Sequence, residues 1–246
     1  MKNADMWKET KYVLKSGRLA ASPDPREVSI SSRLIASLVA ASYQGALGAH
    51  ATGRLLDLGC GSVPLYASYK PYVTEITCVD WENTSHRNIH LDQEADLSQP
   101  LPFGDATFDT IILSDVLEHI PVPQSLWNEM NRVLARGGKI ILNVPFYYWL
   151  HEQPHDYYRY TRFALQRFVQ NSDMKMIELK EVGGAPEILA DITSKMLMGI
   201  PLVGAGAAAI LQGLTLWFVR TGIGRRISRR TARGFPFGYF MVAEKC

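Results

Sequence analysis

R-L-L-D-L-G-C-G-S-V-P-L, residues 54–65, is the stretch of sequence that decides the fold. Its apolar residues predict a β-strand over 54–58, and Gly59 and Gly61 predict a tight turn directly after it. Glycine lets the backbone come close to a bound molecule because it has no side chain. The next apolar run, E-I-T-C-V-D at 75–80, ends in Asp80. Asp57 and Asp80 therefore stand at the carboxyl ends of predicted strands, where open α/β sheets bind their ligands.

Strands and helices alternate beyond this turn, which predicts an α/β fold with a parallel sheet covered on both faces. Four segments follow from the pattern: an N-terminal helical cover, a core, an apolar and basic helical insertion, and a last strand. They span 1–48, 49–184, 185–235 and 236–246. The predicted strands lie at 54–58, 75–80, 89–92, 109–113, 138–144, 175–182 and 238–244. The predicted helices lie at about 29–47, 63–70, 123–135 and 164–171.

Five motifs in this order resemble those of class I S-adenosylmethionine-dependent methyltransferases. They are Asp57-x-Gly59-x-Gly61, Asp80, Asp96-Leu97, the segment F-D-T-I-I-L-S-D-V-L-E-H at 108–119, and R-V-L-x-x-G-G at 132–138. The resemblance covers roughly residues 50–182 and implies a Rossmann-like, seven-stranded, mostly parallel sheet, with the insertion between strands six and seven. It departs from the usual G-x-G-x-G at one place, because Val63 stands where the third glycine is expected.

The resemblance also implies S-adenosylmethionine as cofactor and a role for each motif residue. Asp57 would order the turn and the cofactor's amino-acid part, while Gly59, Cys60 and Gly61 line it. Asp80 would accept hydrogen bonds from the ribose. The adenine would meet Trp81, Asp96 and Leu97, and the methionyl part would meet Ser114. The alternative for each acid is a helix cap or a solvated residue.

A nicotinamide-dependent dehydrogenase is excluded by the glycine spacing. The dinucleotide pattern G-x-G-x-x-G requires glycine at position 64, where the chain has Pro64. A pyrophosphate needs that close backbone approach at a helix N-terminus. A sulfonium cofactor carries no phosphate and is compatible with Pro64.

A second unusual segment, P-F-Y-Y-W-L-H-E-Q-P-H-D-Y-Y-R-Y-T at 145–161, follows the fifth strand of the core. Its aromatic residues predict stacking on a polar, ring-shaped acceptor, oriented by histidine, aspartate and arginine. The substrate-binding candidates are Tyr147, His151, Asp156, Tyr158 and Arg159. The alternatives are an aromatic cover for the sheet and, for Arg159, an ion pair within the loop.

A hydroxyl acceptor needs a base, and His155 is the first candidate because imidazole titrates near neutral pH. His119 is the second, with a structural hydrogen bond as its alternative. His151-Glu152-x-x-His155 spells a zinc-protease motif, but Pro154 opposes the continuous helix that such a site requires. We therefore expect no metal. His86 and His90 are expected at the surface.

The run from Met196 to Val219 contains no charged residue and is long enough to cross a bilayer. Because predicted strands of one sheet lie on both sides of it, a single crossing would separate them. We expect an apolar hairpin of two helices, at about 186–199 and 202–219, followed by an arginine cluster. Residues 186–233 would then contact a membrane surface; a helical lid or a dimer contact is the alternative.

The composition of the chain narrows the classes of function and the cellular compartments that fit it. The chain has 246 residues, 47% of them hydrophobic, and a net charge of +2, which argues against a nucleic-acid binder. Three sparse cysteines and a polar N-terminus favour reduced thiols in the cytoplasm, with peripheral contact at the inner face of the membrane. The segment H-D-x-Y-R-Y-T at 155–161 resembles a bacterial subset linked to surface glycans.

The sequence therefore predicts a methyltransferase acting on a small-molecule or glycan-type acceptor, with O-methylation of a saccharide or lipid-linked precursor favoured. One alternative is a methyltransferase of quinone-like or other lipid molecules. Another is a non-catalytic, cofactor-binding scaffold at a membrane. The oligomeric state and the methylated atom stay open.

Overall fold

The computed structural model describes residues 1–81 and 88–246, so the expectation for His86 lies outside the described residues. The chain divides into two compact units. Unit one contains residues 1–8, 45–180 and 239–246, and unit two contains residues 9–44 and 181–238. These units cut across the four segments expected from sequence, since residues 9–44 group with the insertion. The four-segment division stays a prediction.

The described strands are β1 (Tyr12–Lys15), β2 (Arg18–Ala21), β3 (Arg54–Leu58), β4 (Glu75–Asp80), β5 (Gln93–Glu94), β6 (Phe108–Ser114), β7 (Leu134–Pro145), β8 (Met174–Val182) and β9 (Gly238–Lys245). The described α-helices are α1 (Arg33–His50), α2 (Tyr66–Tyr69), α3 (Pro123–Val133), α4 (Arg162–Gln170), α5 (Ala185–Met198), α6 (Gly204–Arg220) and α7 (Gly222–Ala232).

A seven-stranded sheet forms the centre of unit one, in the order β5-β4-β3-β6-β7-β9-β8. β3 pairs in parallel with β4 and β6, and the pairs β4–β5 and β6–β7 are also parallel. The seven-stranded, mostly parallel sheet is therefore confirmed, with β3 and β4 at the residues predicted. Expected at 89–92, the short edge strand instead lies at Gln93–Glu94. Both of its residues are exposed and polar, so the strand lacks the alternating apolar residues from which strands are predicted.

The helices of unit one pack through apolar residues that recur on one face of the helix. On α3 the buried residues are Leu126, Trp127, Met130 and Val133, which recur on one face of the helix. Thr161 caps α4, because its side-chain oxygen accepts a hydrogen bond from the Ala164 amide at 3.2 Å. His90, expected at the surface, is only 9% exposed, and its Nδ1 lies 3.2 Å from the Lys2 carbonyl oxygen. That surface expectation is wrong because residues of the N-terminal segment cover the ring.

Unit two opens with the β1–β2 hairpin, which the polar composition of residues 1–27 concealed. Ser16 and Gly17 have φ of 49° and 74°, the left-handed pair that two-residue hairpin turns use. α1 follows and ends in unit one, because the boundary between the units falls at Gln44 and Gly45.

The insertion between β8 and β9 contains the expected helical hairpin, as α5 and α6, and a further basic helix, α7. A side chain at Gly204 would lie 2.0 Å from the Leu197 carbonyl oxygen, so only glycine allows this close turn. Gln212 of α6 is buried; it donates to Ser194 of α5 at 3.0 Å and accepts from the Leu34 amide at 2.8 Å. Among the described helices, none combines the length and apolar character needed to span a bilayer.

Candidate cofactor and acceptor site

The turn after β3 is tied to the end of β4. The amides of Gly59 and Cys60 donate to the Val79 carbonyl oxygen at 2.8 and 3.1 Å. Gly59 has φ of 65°, and a side chain there would lie 2.5 Å from Cγ2 of Val116. Both the backbone angle and the lack of space therefore require glycine. Gly61, at φ 49°, has no described atom within 4 Å of the place a side chain would take. The turn therefore presents open backbone at Gly61.

Val63 keeps the backbone shape of the glycine that it replaces. Its φ is 54°, in the left-handed region that a β-branched residue rarely adopts, at a cost of about 1–3 kcal/mol. The side chain is completely buried, which contributes about 1.5–3 kcal/mol. The two effects are of similar size, which explains how valine is accommodated here.

Asp80 stands opposite the glycine turn. Its Oδ2 accepts the Gly61 amide at 2.8 Å, and its Oδ1 accepts the Trp81 amide at 2.9 Å. The Asn88 side chain donates to the Gly61 carbonyl oxygen from the other side. Two backbone donors therefore fix the carboxylate at the end of β4.

Asp57 lies beneath the turn rather than on its surface. It is 4% exposed, and Oη of Tyr69 donates to its Oδ2 at 3.1 Å. Burial raises the pKa of Asp57 to about 7; the Tyr69 hydrogen bond opposes this rise and the charge of Asp80 adds to it. A cationic ligand group placed nearby would favour the ionised carboxylate.

The remaining cofactor candidates lie at the ends of neighbouring strands. Asp96 is exposed, as its alternative of a solvated residue expects, and its Oδ1 accepts the Ser98 amide at 2.8 Å. Leu97 is buried at 6% exposure in the unit-one core. Ser114 ends β6 opposite Asn143, whose side-chain amide donates to Asp115 at 2.5 Å. Cofactor contact by Asp96, Leu97 and Ser114 stays a prediction.

The aromatic segment 145–161 contacts Trp81, the residue that follows β4. The rings of His155 and Trp81 meet edge to face, with centroids 5.3 Å apart. His155 is exposed, and its Nδ1 lies 3.2 Å from Oη of Tyr157. The first base candidate therefore lies beside the proposed adenine contact, in reach of solvent.

Two of the substrate-binding candidates are bound to each other. Arg159 makes a two-pronged ion pair with Asp156, at 2.5 and 2.8 Å, and also donates to the Trp149 carbonyl oxygen at 3.0 Å. The hydrogen bond from Arg159 lowers the pKa of Asp156 well below its usual range. This is the loop ion pair expected as the alternative for Arg159, and direct substrate contact by either residue stays a prediction.

Tyr147 and Tyr158, the other aromatic candidates, are each 39% exposed. Oη of Tyr158 donates to the Pro121 carbonyl oxygen at 2.8 Å, which fixes the ring against the segment after β6. Tyr147 packs edge to face against Phe146, and Tyr158 packs beside Tyr160. Stacking of either ring on a ligand stays a prediction.

Glu118 is the functional candidate that sequence reasoning missed. It is fully buried next to His119 and His151, whose Nε2 atoms each lie 3.8 Å from its Oε1. Burial raises the pKa of Glu118 above its ordinary value, and the charge of Asp115 adds to this. Burial also lowers the pKa of His151. The sequence around Glu118 does not indicate that it forms a cluster, because its partner His151 lies beyond β7.

These features fit an adenosyl cofactor: an open glycine backbone, a fixed carboxylate one strand away, and an aromatic ring beside it. The fold is that of the class I S-adenosylmethionine-dependent methyltransferases. Residues 56–142 match the family model described as "Methyltransferase domain". The cofactor of the class is S-adenosylmethionine.

Relatives and solved structures agree on the fold. The chain is 28% identical over 104 residues to a phosphatidylethanolamine N-methyltransferase of Cereibacter sphaeroides, covering 37% of this chain and 49% of the relative. It is 24% identical over 162 residues to a ubiquinone biosynthesis O-methyltransferase of Burkholderia ambifaria, covering 54% and 70%. A geranyl diphosphate methyltransferase in complex with SAM superposes with a TM-score of 0.56, at 15% identity, over 91% of this chain and 93% of that one.

The chain spans about half the length of the first of these curated relatives. The structural likeness, at 15% identity, shows the fold alone. The acceptor and the activity of the whole protein are therefore inferred from its own residues.

Proposed function

We propose that the protein transfers a methyl group from S-adenosylmethionine to a hydroxyl oxygen of a polar, ring-shaped group, carried by a saccharide or a lipid-linked precursor. The observation that carries this proposal is the contact between His155 and Trp81, 5.3 Å apart between ring centroids. It brings the aromatic segment to the mouth of the cofactor site. An acceptor stacked on that segment would lie next to the cofactor.

The residues of the chain bind and orient the cofactor and the acceptor. S-adenosylmethionine supplies a methyl carbon that is already activated toward nucleophiles, so the protein needs to align the partners and exclude water. Asp80 would accept hydrogen bonds from the ribose hydroxyls, Gly61 would let the cofactor approach the backbone, and Trp81 would flank the adenine. Asp57 favours the cationic amino-acid end.

His155 takes the acceptor's hydroxyl proton in this proposal. When its Nδ1–H donates to Oη of Tyr157, 3.2 Å away, the lone pair on Nε2 is left to accept a proton. The ring is exposed, so the proton can pass to solvent afterwards. His119 acts differently, because its Nδ1 lies 2.8 Å from the His155 carbonyl oxygen and fixes that peptide.

An anionic bilayer surface is the partner that we propose for unit two. Leu202, at the turn between α5 and α6, is fully exposed, and Met196 and Trp217 are exposed by 74% and 68%. Apolar exposure on this scale marks an interaction surface. The adjoining arginines are also exposed: Arg220, Arg225, Arg226, Arg229, Arg230 and Arg233. Each basic residue near an anionic surface contributes about 1 kcal/mol, which supports a membrane-bound acceptor.

The second candidate is methylation of a quinone-like or other lipid molecule. The relatives named for ubiquinone biosynthesis and phosphatidylethanolamine favour it, and so does the apolar hairpin. A non-catalytic scaffold is the third, and it would retain cofactor binding without methyl transfer.

Labelled methyl transfer to fractionated envelope lipids separates these candidates. With methyl-labelled S-adenosylmethionine, we expect label in lipid-linked saccharide, released by mild acid as an O-methyl sugar. Label in a phenolic quinone fraction would support the second candidate, and label on ethanolamine nitrogen would contradict O-methylation. Cofactor binding without transfer to any fraction would support the scaffold. Asp80→Ala protein is the control for contaminating activity.

A further inference from the structure

Three side chains with metal-binding atoms converge beneath the aromatic segment. Glu118, His119 and His151 each offer one ligand atom, and these atoms lie within 4.8 Å of one another. Oε1 of Glu118 lies 3.8 Å from Nε2 of His119 and 3.8 Å from Nε2 of His151. The two imidazole rings meet edge to face at 4.7 Å. All three residues belong to unit one.

Both histidines already have an acceptor at their other ring nitrogen. Nδ1 of His119 lies 2.8 Å from the His155 carbonyl oxygen, and Nδ1 of His151 lies 3.3 Å from Oδ2 of Asp156. Asp156 is in turn held by Arg159. With Nδ1 carrying the proton, each Nε2 keeps a lone pair, and each lies 3.8 Å from Oε1 of Glu118. Histidines that bind metals are oriented in this way by carboxylates or backbone carbonyls.

The cluster has more acceptor atoms than donors. Among the described residues, neither carboxyl oxygen of Glu118 has a hydrogen-bond partner, and nor does Nε2 of His119. Glu118 is fully buried. A buried acceptor without a donor costs about 1–3 kcal/mol, and more when it is charged. A positive species between these lone pairs removes that cost.

We propose that Glu118, His119 and His151 bind one divalent first-row transition-metal ion. Two imidazole nitrogens and a carboxylate are the donor set of zinc and non-haem iron sites, whereas magnesium and calcium prefer oxygen alone. Ligand atoms about 2.1 Å from a tetrahedral ion lie roughly 3.4 Å apart. Metal binding therefore requires side-chain rotations that bring ligand atoms now within 4.8 Å of one another to that spacing. Oε2 of the exposed Glu152 lies 3.9 Å from Nε2 of His119, so this carboxylate is near enough to serve as a further ligand.

This site differs from the H-E-x-x-H reading of residues 151–155. That reading pairs His151 with His155, but the His155 ring lies against Trp81 and Tyr157. Its contribution to the cluster is the backbone carbonyl oxygen, which orients His119. The metal site is independent of the acceptor, and it can be tested without methyl transfer.

The test is metal titration of the full-length chain after removal of metals with a chelator. Calorimetry with ZnCl2 and visible absorption with CoCl2 are expected to show one ion per chain, with a micromolar or lower Kd. Glu118→Gln keeps the shape and removes the charge, and we expect it to weaken binding by at least about 100-fold. Asp156→Ala removes the carboxylate that lies beside Nδ1 of His151 and is expected to weaken binding by about 10-fold, the scale of outer-shell changes.

His155→Gln is the matched control, because it removes the other imidazole of the H-E-x-x-H motif and keeps the backbone carbonyl. We expect its Kd to stay within about threefold of the wild-type value. If Glu118→Gln does not fold, as judged by circular dichroism, His151→Gln replaces it, since His151 lies on an exposed loop. No stoichiometric binding by the wild-type chain would overturn the proposal and leave protons as the bridging species. An equal loss in His155→Gln and Glu118→Gln would also overturn it.

Discussion

The Gly61 amide donates to Oδ2 of Asp80 across 2.8 Å, although the two residues are 19 positions apart in sequence. This hydrogen bond joins the turn after β3 to the end of β4. It fixes a carboxylate facing open backbone, because a side chain at Gly61 would meet no described atom within 4 Å. The hydrogen bond makes Asp80 a support for the turn, and we propose the same carboxylate as a ligand for the cofactor.

Asp80→Ala is predicted to weaken S-adenosylmethionine binding by about 10- to 150-fold. A hydrogen bond to a charged group contributes about 1.5–3 kcal/mol, and the ribose bonds would be lost. Isothermal titration calorimetry measures the change. Asp80→Asn is the matched variant: it keeps an acceptor for the Gly61 amide, so it should lose ribose affinity with less damage to the turn. Unchanged affinity in both variants would remove the ribose assignment.

Asp57→Asn is predicted to stabilise the cofactor-free protein at pH 8. Because the folded-state pKa is raised from 3.8 to about 7, this carboxyl favours the folded state fully only below about pH 4. Its penalty grows as pH rises to about 7 and then levels off. The full shift corresponds to about 4 kcal/mol, an upper bound for the gain. Urea unfolding at pH 4 and pH 8 measures the difference between the two proteins.

Asp109→Asn is the control for that experiment, with the opposite sign. The hydrogen bonds from Arg54 hold the pKa of Asp109 below its ordinary value, so its charge stabilises the fold above pH 4. Its replacement should lower stability at pH 8. If Asp57→Asn also lowers stability at pH 8, the buried-charge account of Asp57 is wrong.

His155→Ala is predicted to lower kcat by at least about 100-fold, the scale of general-base catalysis, while the cofactor Kd changes less than fivefold. His155 packs edge to face with Trp81 and is not itself a proposed cofactor contact, so little cofactor-binding energy should depend on it. Steady-state kinetics and calorimetry give the two numbers. Tyr157→Phe, which removes the partner of Nδ1, should produce a smaller loss in kcat. Equal turnover in His155→Ala and wild type would exclude a catalytic role.

Leu202→Ser with Trp217→Ser is predicted to reduce binding to anionic vesicles by about tenfold or more. Both side chains are exposed, so their replacement should not disturb the unit-two core. Co-sedimentation with phosphatidylglycerol vesicles measures the fraction of protein bound. Binding should also weaken as the salt concentration rises. Val122→Ser, an exposed apolar position of unit one, is the control. Equal binding by all three proteins would refute the apolar hairpin as the membrane contact.

Deleting residues 196–219 is a poorer test of the same contact. The deletion removes Gln212, whose buried side chain joins Ser194 to the Leu34 amide. Loss of vesicle binding could then reflect unfolding of unit two. Point substitutions at the surface avoid that ambiguity.

Local patterns predicted most of the sheet, because β3, β4 and β6 are apolar runs ended by turn or polar residues. The β1–β2 hairpin was missed, since its only signal was Ser16-Gly17 in a polar segment. Contacts between residues that lie far apart in the chain could not be predicted from the sequence either. Nothing near Glu118 indicates that His151 will lie beside it, and the link from Asp156 to Arg159 was only one of two readings.

A crystal structure of the protein with S-adenosylhomocysteine tests the central claim most directly. Our account predicts that the ribose hydroxyls lie within about 3.2 Å of the Asp80 carboxylate, with the adenosyl group over Gly61 and beside Trp81. Nucleoside density elsewhere, or a crystal that takes up none at saturating concentration, would contradict it.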